Sequence, residues 1–464
     1  MPIAVAAIAR PTFDVELARE TAQAAFDLLS DIDPNLLGSA DLLMDADSVA
    51  EAASSWVDEA IDALVIIQAT FADSTPAAAL ADSTDAPIVL WAFPEARTGG
   101  RLRLNSLCGI NLAGYVLRHR QADYRWVFRQ PSENEARSEL LRAINRAQPL
   151  ASAIQPNRAV SDLAVERATI VRTRLADSRV GIIGDRPTGF EPCAYDPSRL
   201  AASIGVSATS VALPHLFDRA AAADETRVED LKATVSAELT GVGDLEEEAL
   251  SQSLRLHLGL RDVVKAEKLD AIATRCWPEC FTEFGAAACT PQSMLTEAGV
   301  PACCEADAYG AVTGLILQWL TDAPSFIADL VDLDRRDNTA VFWHCGLAPI
   351  SLADPESTPS AALHSNRRKP LLNEFPLKPG RFTLARLSQS AGEQRLVVGG
   401  GEMLRAPLAF SGTAGVAKLD RSADDTLSTV MSEGLEHHYG IAYGDVRPEL
   451  RSLADQLGLA VVEL

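Results

Sequence analysis

The sequence lacks an apolar run of the roughly 20 residues needed to cross a bilayer. The longest candidate, Tyr309 to Leu320, falls short and contains Gln318. Its first ten residues, Met-Pro-Ile-Ala-Val-Ala-Ala-Ile-Ala-Arg, have no basic leader and resemble a first strand more than a signal peptide, so the expected location is the cytoplasm. Positive charge is also scarce. With 41 Lys and Arg against 64 Asp and Glu, the formal charge is −23, which argues against nucleic acid and anionic membranes as partners because such binding relies on cations displacing counterions. Eight cysteines are too few for a disulfide scaffold at 464 residues. Cys276, Cys280, Cys289, Cys303 and Cys304 crowd together beside apolar neighbours, without paired CxxC spacing, and are expected as buried thiols rather than a structural zinc site. There is no GxSxG, P-loop, HExxH or dinucleotide fingerprint. Gly399-Gly400-Gly401 falls in a hairpin region rather than between a strand and a helix, so it is no phosphate loop.

What is present is a repeated strand–helix alternation. The chain is too long for one core. Pro2 to Ile8, Ala63 to Ile67 and Pro87 to Ala92 are strand-like and separated by Ala-rich helical stretches such as Asp14 to Leu29. Helical segments at 137–147 and 159–176 close this unit. A second alternation starts at Arg179, with further strands at 205–213, 269–274 and 300–304, and a strand at 339–344 ends on His344. After a Ser- and Pro-rich basic stretch at 351–380, expected as a solvated linker or rim, the period changes to two. The expected fold is therefore α/β: two Rossmann-like parallel-sheet domains, residues 1–176 and 177–345, followed by a C-terminal antiparallel β-barrel domain, residues 346–464.

Open parallel sheets bind ligands at the carboxyl ends of their strands. Two such ends carry an Arg-Pro step, Arg10-Pro11 and Arg186-Pro187, and a pair of arginines in equivalent positions suits an anionic or polyhydroxylic ligand. A third junction carries Glu305 and Asp307, ahead of the helix starting at Ala308. Two readings stand open there. Asp307 is placed to cap the helix and Glu305 to balance its dipole; equally, two carboxylates at a strand end suit a metal or acid–base site. Glu279, Glu283 and His438 complete a set of hard donors suited to manganese or magnesium.

Taken in order, these segments resemble the L-fucose isomerase family, related more distantly to L-arabinose isomerase. The resemblance rests on Arg10-Pro11-Thr12-Phe13-Asp14, Trp91-Ala92-Phe93, Gly184-Asp185-Arg186-Pro187-Thr188-Gly189-Phe190 with Asp196-Pro197, Glu305-Ala306-Asp307 with Gly310, and His438 with Tyr443-Gly444 and Leu453-Ala454. It implies a metal-dependent aldose–ketose isomerase, with proton transfer through a metal-stabilised enediolate. The implied ligands of Mn2+, or of another divalent cation such as Mg2+ or Co2+, are Glu279, Asp307 and His438, with Glu283 as the alternative glutamate; Glu279 and Asp307 would move the proton. Arg10, Trp91, Arg186, Thr188, Phe190, Glu305 and His437 would contact the sugar. The family also implies a homo-oligomer, hexameric or trimer-based, with the site completed by a neighbour through Trp91. His437 stands where the family has Asn, and with the two strand-end arginines it raises the alternative of a modified or anionic sugar, such as a 6-deoxy-6-sulfo-hexose of the sulfoquinovose type. A sugar-binding protein that has lost the chemistry is the other alternative.

Overall fold

The computed structural model describes residues 2–150, 154–155 and 160–464. Its first sheet has five parallel strands in the order Leu37–Leu43, Ile3–Ile8, Ala63–Gln68, Ile88–Ala92 and Tyr124–Phe128. The central strands are buried on both faces, which is why they read as unbroken apolar runs. Asp14 accepts from the Leu17 amide and caps Val15–Ser30. Three elements were not expected from sequence. Leu37–Leu43 is a half-exposed edge strand rich in polar residues, Tyr124–Phe128 is the opposite edge, and Ser106–His119 is buried almost all round, so it shows no helical periodicity. The helices expected at 137–147 and 159–176 are found as Ala136–Ile144 and Asp162–Ala176, residue 159 lying outside the described residues.

The second sheet is also parallel, with four strands in the order Ala302–Cys304, Ala271–Thr274, Arg179–Ile183 and Ser207–Val211. Glu305 and Ala306 follow directly on the first of these with φ of 59° and 54°. Two consecutive side-chain-bearing residues in the left-handed region cost about 1–2 kcal/mol each, and such strain is retained where surroundings over-determine it, often at a functional site.

The third sheet departs from expectation. It has ten strands and mixed directions: Ser360–Ala362, Leu372–Pro376, Thr413–Leu419, Thr339–His344, Phe326–Asp334, His438–Tyr443, Gly380–Ser388, Arg395–Met403, Ala460–Glu463 and Ile154–Gln155. Arg395–Met403 pairs with Thr413–Leu419 as well, so the pairing of six strands returns on itself. Two strands assigned above to the second unit, Phe326–Asp334 and Thr339–His344, pair here, and the sheet also recruits Ile154–Gln155. Sheet pairing therefore does not respect a boundary at residue 345. The cause is local: Phe326–Asp334 is buried along nearly its whole length and antiparallel to both its neighbours, so it belongs to the core that the C-terminal strands close. Among the described residues no helix is long and apolar enough to cross a membrane.

The helix Ala308–Thr321 links the two later sheets. It packs on the strand His438–Tyr443 at Gly440, where an added Cβ would lie 2.7 Å from Leu317 Cδ1 and 2.9 Å from Thr313 Cγ2. Gly440→Ala is expected to destabilise the protein by about 1–3 kcal/mol, the usual cost of overpacking, read as a lower urea midpoint with unchanged slope. An unaltered midpoint would show that the helix is free to move off the strand.

Candidate functional site

The strand ends of all three sheets meet around a pocket with about 100 Å³ of free space. Arg10, Phe13, Phe71 and Asn105 line it from the first unit, Phe190, Trp277 and Glu305 from the second, and Asp329, His344, Arg367 and His437 from the remainder.

Glu305 is held from two directions. Its Oε1 accepts from the indole Nε1 of Trp277 at 3.3 Å, and its Oε2 lies 2.9 Å from His437 Nε2. Burial pushes the His437 pKa down to about 4, so the neutral ring donates from Nε2. Its buried Nδ1 has no hydrogen-bond partner and is an acceptor at the pocket wall. Beside it, His438 Nε2 lies 3.7 Å from Glu305 Oε2 and 3.6 Å from Asp329 Oδ1. Asp329 and His438 are direct cross-strand partners in adjacent antiparallel strands, so the sheet itself fixes their approach. Burial pushes the Asp329 pKa up to about 7, and its Oδ1 makes no hydrogen bond. A Glu305 oxygen and an Asp329 oxygen thus each lie within 3.7 Å of one imidazole nitrogen.

Asp307 faces the other side of the same histidine. Its Oδ2 is 2.8 Å from His438 Nδ1 and accepts from Arg386 Nη1 at 2.5 Å. Its Oδ1 accepts from Arg386 Nη2 at 3.0 Å and from the Gly310 amide at 2.9 Å. Burial alone would raise this carboxyl, but Arg386 and His438 outweigh it and hold Asp307 ionised far below the usual range. Asp307 is therefore the helix cap and the partner of His438 Nδ1 at once, with both oxygens engaged. Asp307 was expected as a metal ligand, and it stands within reach of one ion only together with Cys303 and His438. Burial alone would lower the His438 pKa, but Cys303 and Asp307 outweigh it and hold it well above the ordinary value; the carboxylate–histidine pair fixes the ring with its other nitrogen turned away from Asp307.

Thiols complete the surroundings. Cys304 Sγ lies 2.8 Å from His344 Nε2 and 3.4 Å from His438 Nε2. His344 Nδ1 accepts from the Cys345 amide at 2.8 Å, placing the ring proton on Nε2 toward the sulfur, and burial keeps the ring neutral with a pKa near 3. All eight cysteines are free, and all but the half-buried Cys345 are buried. Among the described residues three groupings able to hold an ion share His438: with Cys193, Glu305 and His437; with Cys304 and His344; and with Cys303 and Asp307.

The other residues expected from sequence divide clearly. Arg10, Phe190, Glu305 and His437 reach the pocket. Glu279 does not join the cluster: Arg275 engages both its oxygens, at 2.6 and 2.7 Å, and draws it aside. Glu283 is exposed. Trp91 is fully buried, donates to the Arg129 carbonyl at 2.9 Å and packs on Phe93, so it is a core residue that reaches no neighbour. Arg186 lies 3.7 Å from Glu191 outside the pocket, and Thr188 is exposed. Asp329, His344, Trp277 and Arg367 were missed. An acid inside the apolar run Phe326-Ile-Ala-Asp-Leu-Val was the one signal for Asp329, and the basic stretch taken as a rim was the signal for Arg367.

Comparison with known proteins identifies the family. Residues 4–155 match a family described as fucose/sulfoquinovose isomerase, N-terminal domain, and residues 344–464 match L-fucose isomerase, C-terminal domain. The chain is 31% identical over 455 residues to a protein named sulfoquinovose isomerase from Priestia megaterium, covering 97% of this chain and 96% of the relative. It is 31% identical over 461 residues to one of the same name from Alkalicoccus urumqiensis, covering 98% of each, and 30% identical over 462 residues to one from a Clostridium species, again covering 98% of each.

Two substitutions separate the duties of Asp307. Asp307→Ala strands Arg386 without its partner and is expected to lower unfolding free energy by about 3–5 kcal/mol in metal-free protein. Asp307→Asn keeps the shape and is expected to weaken Mn2+ affinity about 10–100-fold, measured by titration calorimetry. Unchanged affinity in the Asn variant would remove the orienting role.

Proposed function

This chain belongs to the L-fucose isomerase-like family and is an aldose–ketose isomerase; from that premise we propose that Glu305, Asp329 and His438 hold a divalent cation beside which a sugar aldehyde and its 2-ketose interconvert. The observation that carries this reading is the approach of Glu305 Oε2 and Asp329 Oδ1 to His438 Nε2, at 3.7 and 3.6 Å. The donor set fits such an ion: two carboxylates and an imidazole are hard and borderline ligands suited to manganese or magnesium, and the unpartnered Asp329 Oδ1 supports the fit. When bound there, the cation supplies Lewis-acid polarisation of the sugar carbonyl and its neighbouring hydroxyl.

The chain's own groups do the rest. Asp307 keeps a proton on His438 Nδ1, so Nε2 is the nitrogen turned to the cation. Asp329 carries the proton: burial raises its proton affinity, and its Oδ2, the oxygen not turned to the cation, takes the proton from C2 and delivers it to C1 while the O2 proton passes to O1, so the carboxylate is regenerated and the reverse reaction runs through the same group. Glu305, its two oxygens held by Trp277 and His437, stays ionised beside the cation. His437 Nδ1 is placed to accept from a sugar hydroxyl. Phe190 closes the site edge-on against both Trp277 and His437, with centroids 5.2 and 6.0 Å away, and limits water around the reacting carbons.

The relatives' names favour sulfoquinovose, a 6-deoxy-6-sulfo-hexose, over a neutral sugar as substrate. The decisive experiment is a panel of aldoses, sulfoquinovose included, assayed with protein stripped by chelator and reloaded with Mn2+. Turnover is expected only after reloading. Asp329→Asn and His438→Gln are expected to lose bound Mn2+ and to lower kcat by about 10²–10⁴-fold, whereas Glu279→Gln retains the metal. Full Mn2+ occupancy and wild-type turnover in Asp329→Asn would defeat the assignment.

A further inference from the structure

Thiols as well as acids surround His438, and the soft donors form an arrangement of their own. Of the three groupings that share this histidine, two consist of side chains already committed elsewhere. In the grouping with Cys304, His344 Nδ1 accepts from the Cys345 amide, so its Nε2 carries the ring proton and offers no lone pair. In the grouping with Cys303, Asp307 engages Arg386, the Gly310 amide and His438 Nδ1 with its two oxygens. The third grouping has four donors, Cys193, Glu305, His437 and His438, of which only Glu305 is more than slightly exposed.

Glu305 Oε2 is the hub of this set. It lies 2.9 Å from His437 Nε2, 3.7 Å from His438 Nε2 and 4.0 Å from Cys193 Sγ, and the four ligand atoms all fall within 4.8 Å of one another. A tetrahedral zinc ion with bonds of about 2.0–2.2 Å to nitrogen or oxygen and about 2.3 Å to sulfur spaces its donors about 3.3–3.6 Å apart. Each separation from the hub is within about 0.5 Å of that spacing. Local structure holds the donors there. A single helical turn, Glu191–Cys193, carries the thiol, the left-handed turn carries Glu305, and His437 directly precedes the strand His438–Tyr443, its ring centroid 4.0 Å from that of His438. His437 is free to serve as a ligand because its Nδ1 has no partner: the ring proton moves there and releases Nε2. One thiolate and one carboxylate neutralise a dication, which suits a buried position, and the thiol proton leaves to solvent on binding.

We propose that Cys193, Glu305, His437 and His438 form a closed site for a thiophilic dication such as Zn2+, and, resting on the isomerase reading above, that filling it excludes the Mn2+ held by Glu305, Asp329 and His438. Two ligands are common to both sets, so the two ions cannot be bound together. Four protein donors leave no open position for the oxygens of a sugar, as in structural rather than catalytic zinc sites. Sulfur and imidazole favour zinc, which also stands above manganese in the general order of affinities. Asp329 lies outside the closed set, so the two sites are separable by substitution.

The test uses the full-length protein, stripped by chelator and titrated with Co2+, Zn2+ or Mn2+ alone. Co2+ is expected to develop the near-ultraviolet charge-transfer band of a thiolate-ligated ion, and Zn2+ to abolish it. Cys193→Ser is expected to lose the band and to bind Zn2+ at least about 10–100-fold more weakly, since losing a direct ligand costs no less than losing an outer-shell partner, while its Mn2+ affinity is unchanged. Cys193→Ala, which adds no polar group to the core, is expected to behave alike. Cys108→Ser removes another buried thiol of the same apolar cluster and is expected to keep the band. Asp329→Asn gives the converse, with Zn2+ retained and Mn2+ lost. No band in the wild type, or a band that survives in both Cys193 variants, would overturn the site. Zn2+ is also expected to inhibit Mn2+-supported turnover, with relief by excess Mn2+; turnover that continues with Zn2+ bound through Cys193 would overturn the exclusion. A thiolate band in protein that turns over no sugar with Mn2+ would refute the isomerase reading and leave the site standing.

Discussion

The buried ion pair between Arg386 and Asp307 is the constraint on which the rest of the site depends. Both side chains are essentially without solvent contact, and burial on that scale penalises each charge severely unless geometry compensates. Compensation comes from two parallel N–H···O contacts, the Gly310 amide and the His438 ring. Every group that satisfies Asp307 is thereby fixed as well: the first turn of the Ala308–Thr321 helix, the strand Gly380–Ser388 that carries Arg386, and the imidazole of His438. A charge that cannot be solvated has become the reason why three elements cannot shift relative to one another.

From that fixed point the pocket acquires two ends of opposite character. On one side, the cross-strand register brings Asp329 to His438, and the left-handed turn at Glu305 and Ala306 brings a second carboxylate from the second sheet. At the mouth, Arg10 from the first sheet and Arg367 from the His364 turn face the same indole. Trp277 joins the two ends, since its nitrogen restrains Glu305 and its π face attracts the guanidiniums. A ligand with an electron-rich head of adjacent oxygens and an anionic tail would satisfy both ends in one orientation, so the polarity of the pocket sets which carbons meet Asp329 and Glu305.

Much of this was legible in the sequence where a local rule and the tertiary structure agree. The strand-end position of Arg10, the helix that follows Asp14 and the helix after Asp307 all follow from short-range signals that the fold respects. Asp307 is the instructive case. Its capping geometry and its place in the site were set against each other as rival readings, yet one carboxylate caps the helix and pairs with His438 at once. Glu279 failed for a different reason: Arg275 lies one helical turn before it and takes both its oxygens, a contact that a strand-end argument does not register. Asp329 was hidden because Phe326–Asp334 is buried on both faces, so its acid sits in a run whose periodicity carries no inside or outside. Arg367 was hidden by composition, because a basic, Ser- and Pro-rich stretch looks solvated until His364 folds it back over the pocket.

The excess of acid along the chain acquires a meaning once the two ends of the pocket are seen together. Carboxylates outnumber cations, and many arginines find one, as Arg129, Arg275, Arg381 and Arg447 do. Charge in this protein is thus sorted along the pocket by topology, acids arriving on strand ends of the second and third sheets and guanidiniums on the first strand and the His364 turn. Such sorting would favour one orientation of a bound sugar, and orientation is what moving a proton between adjacent carbons demands.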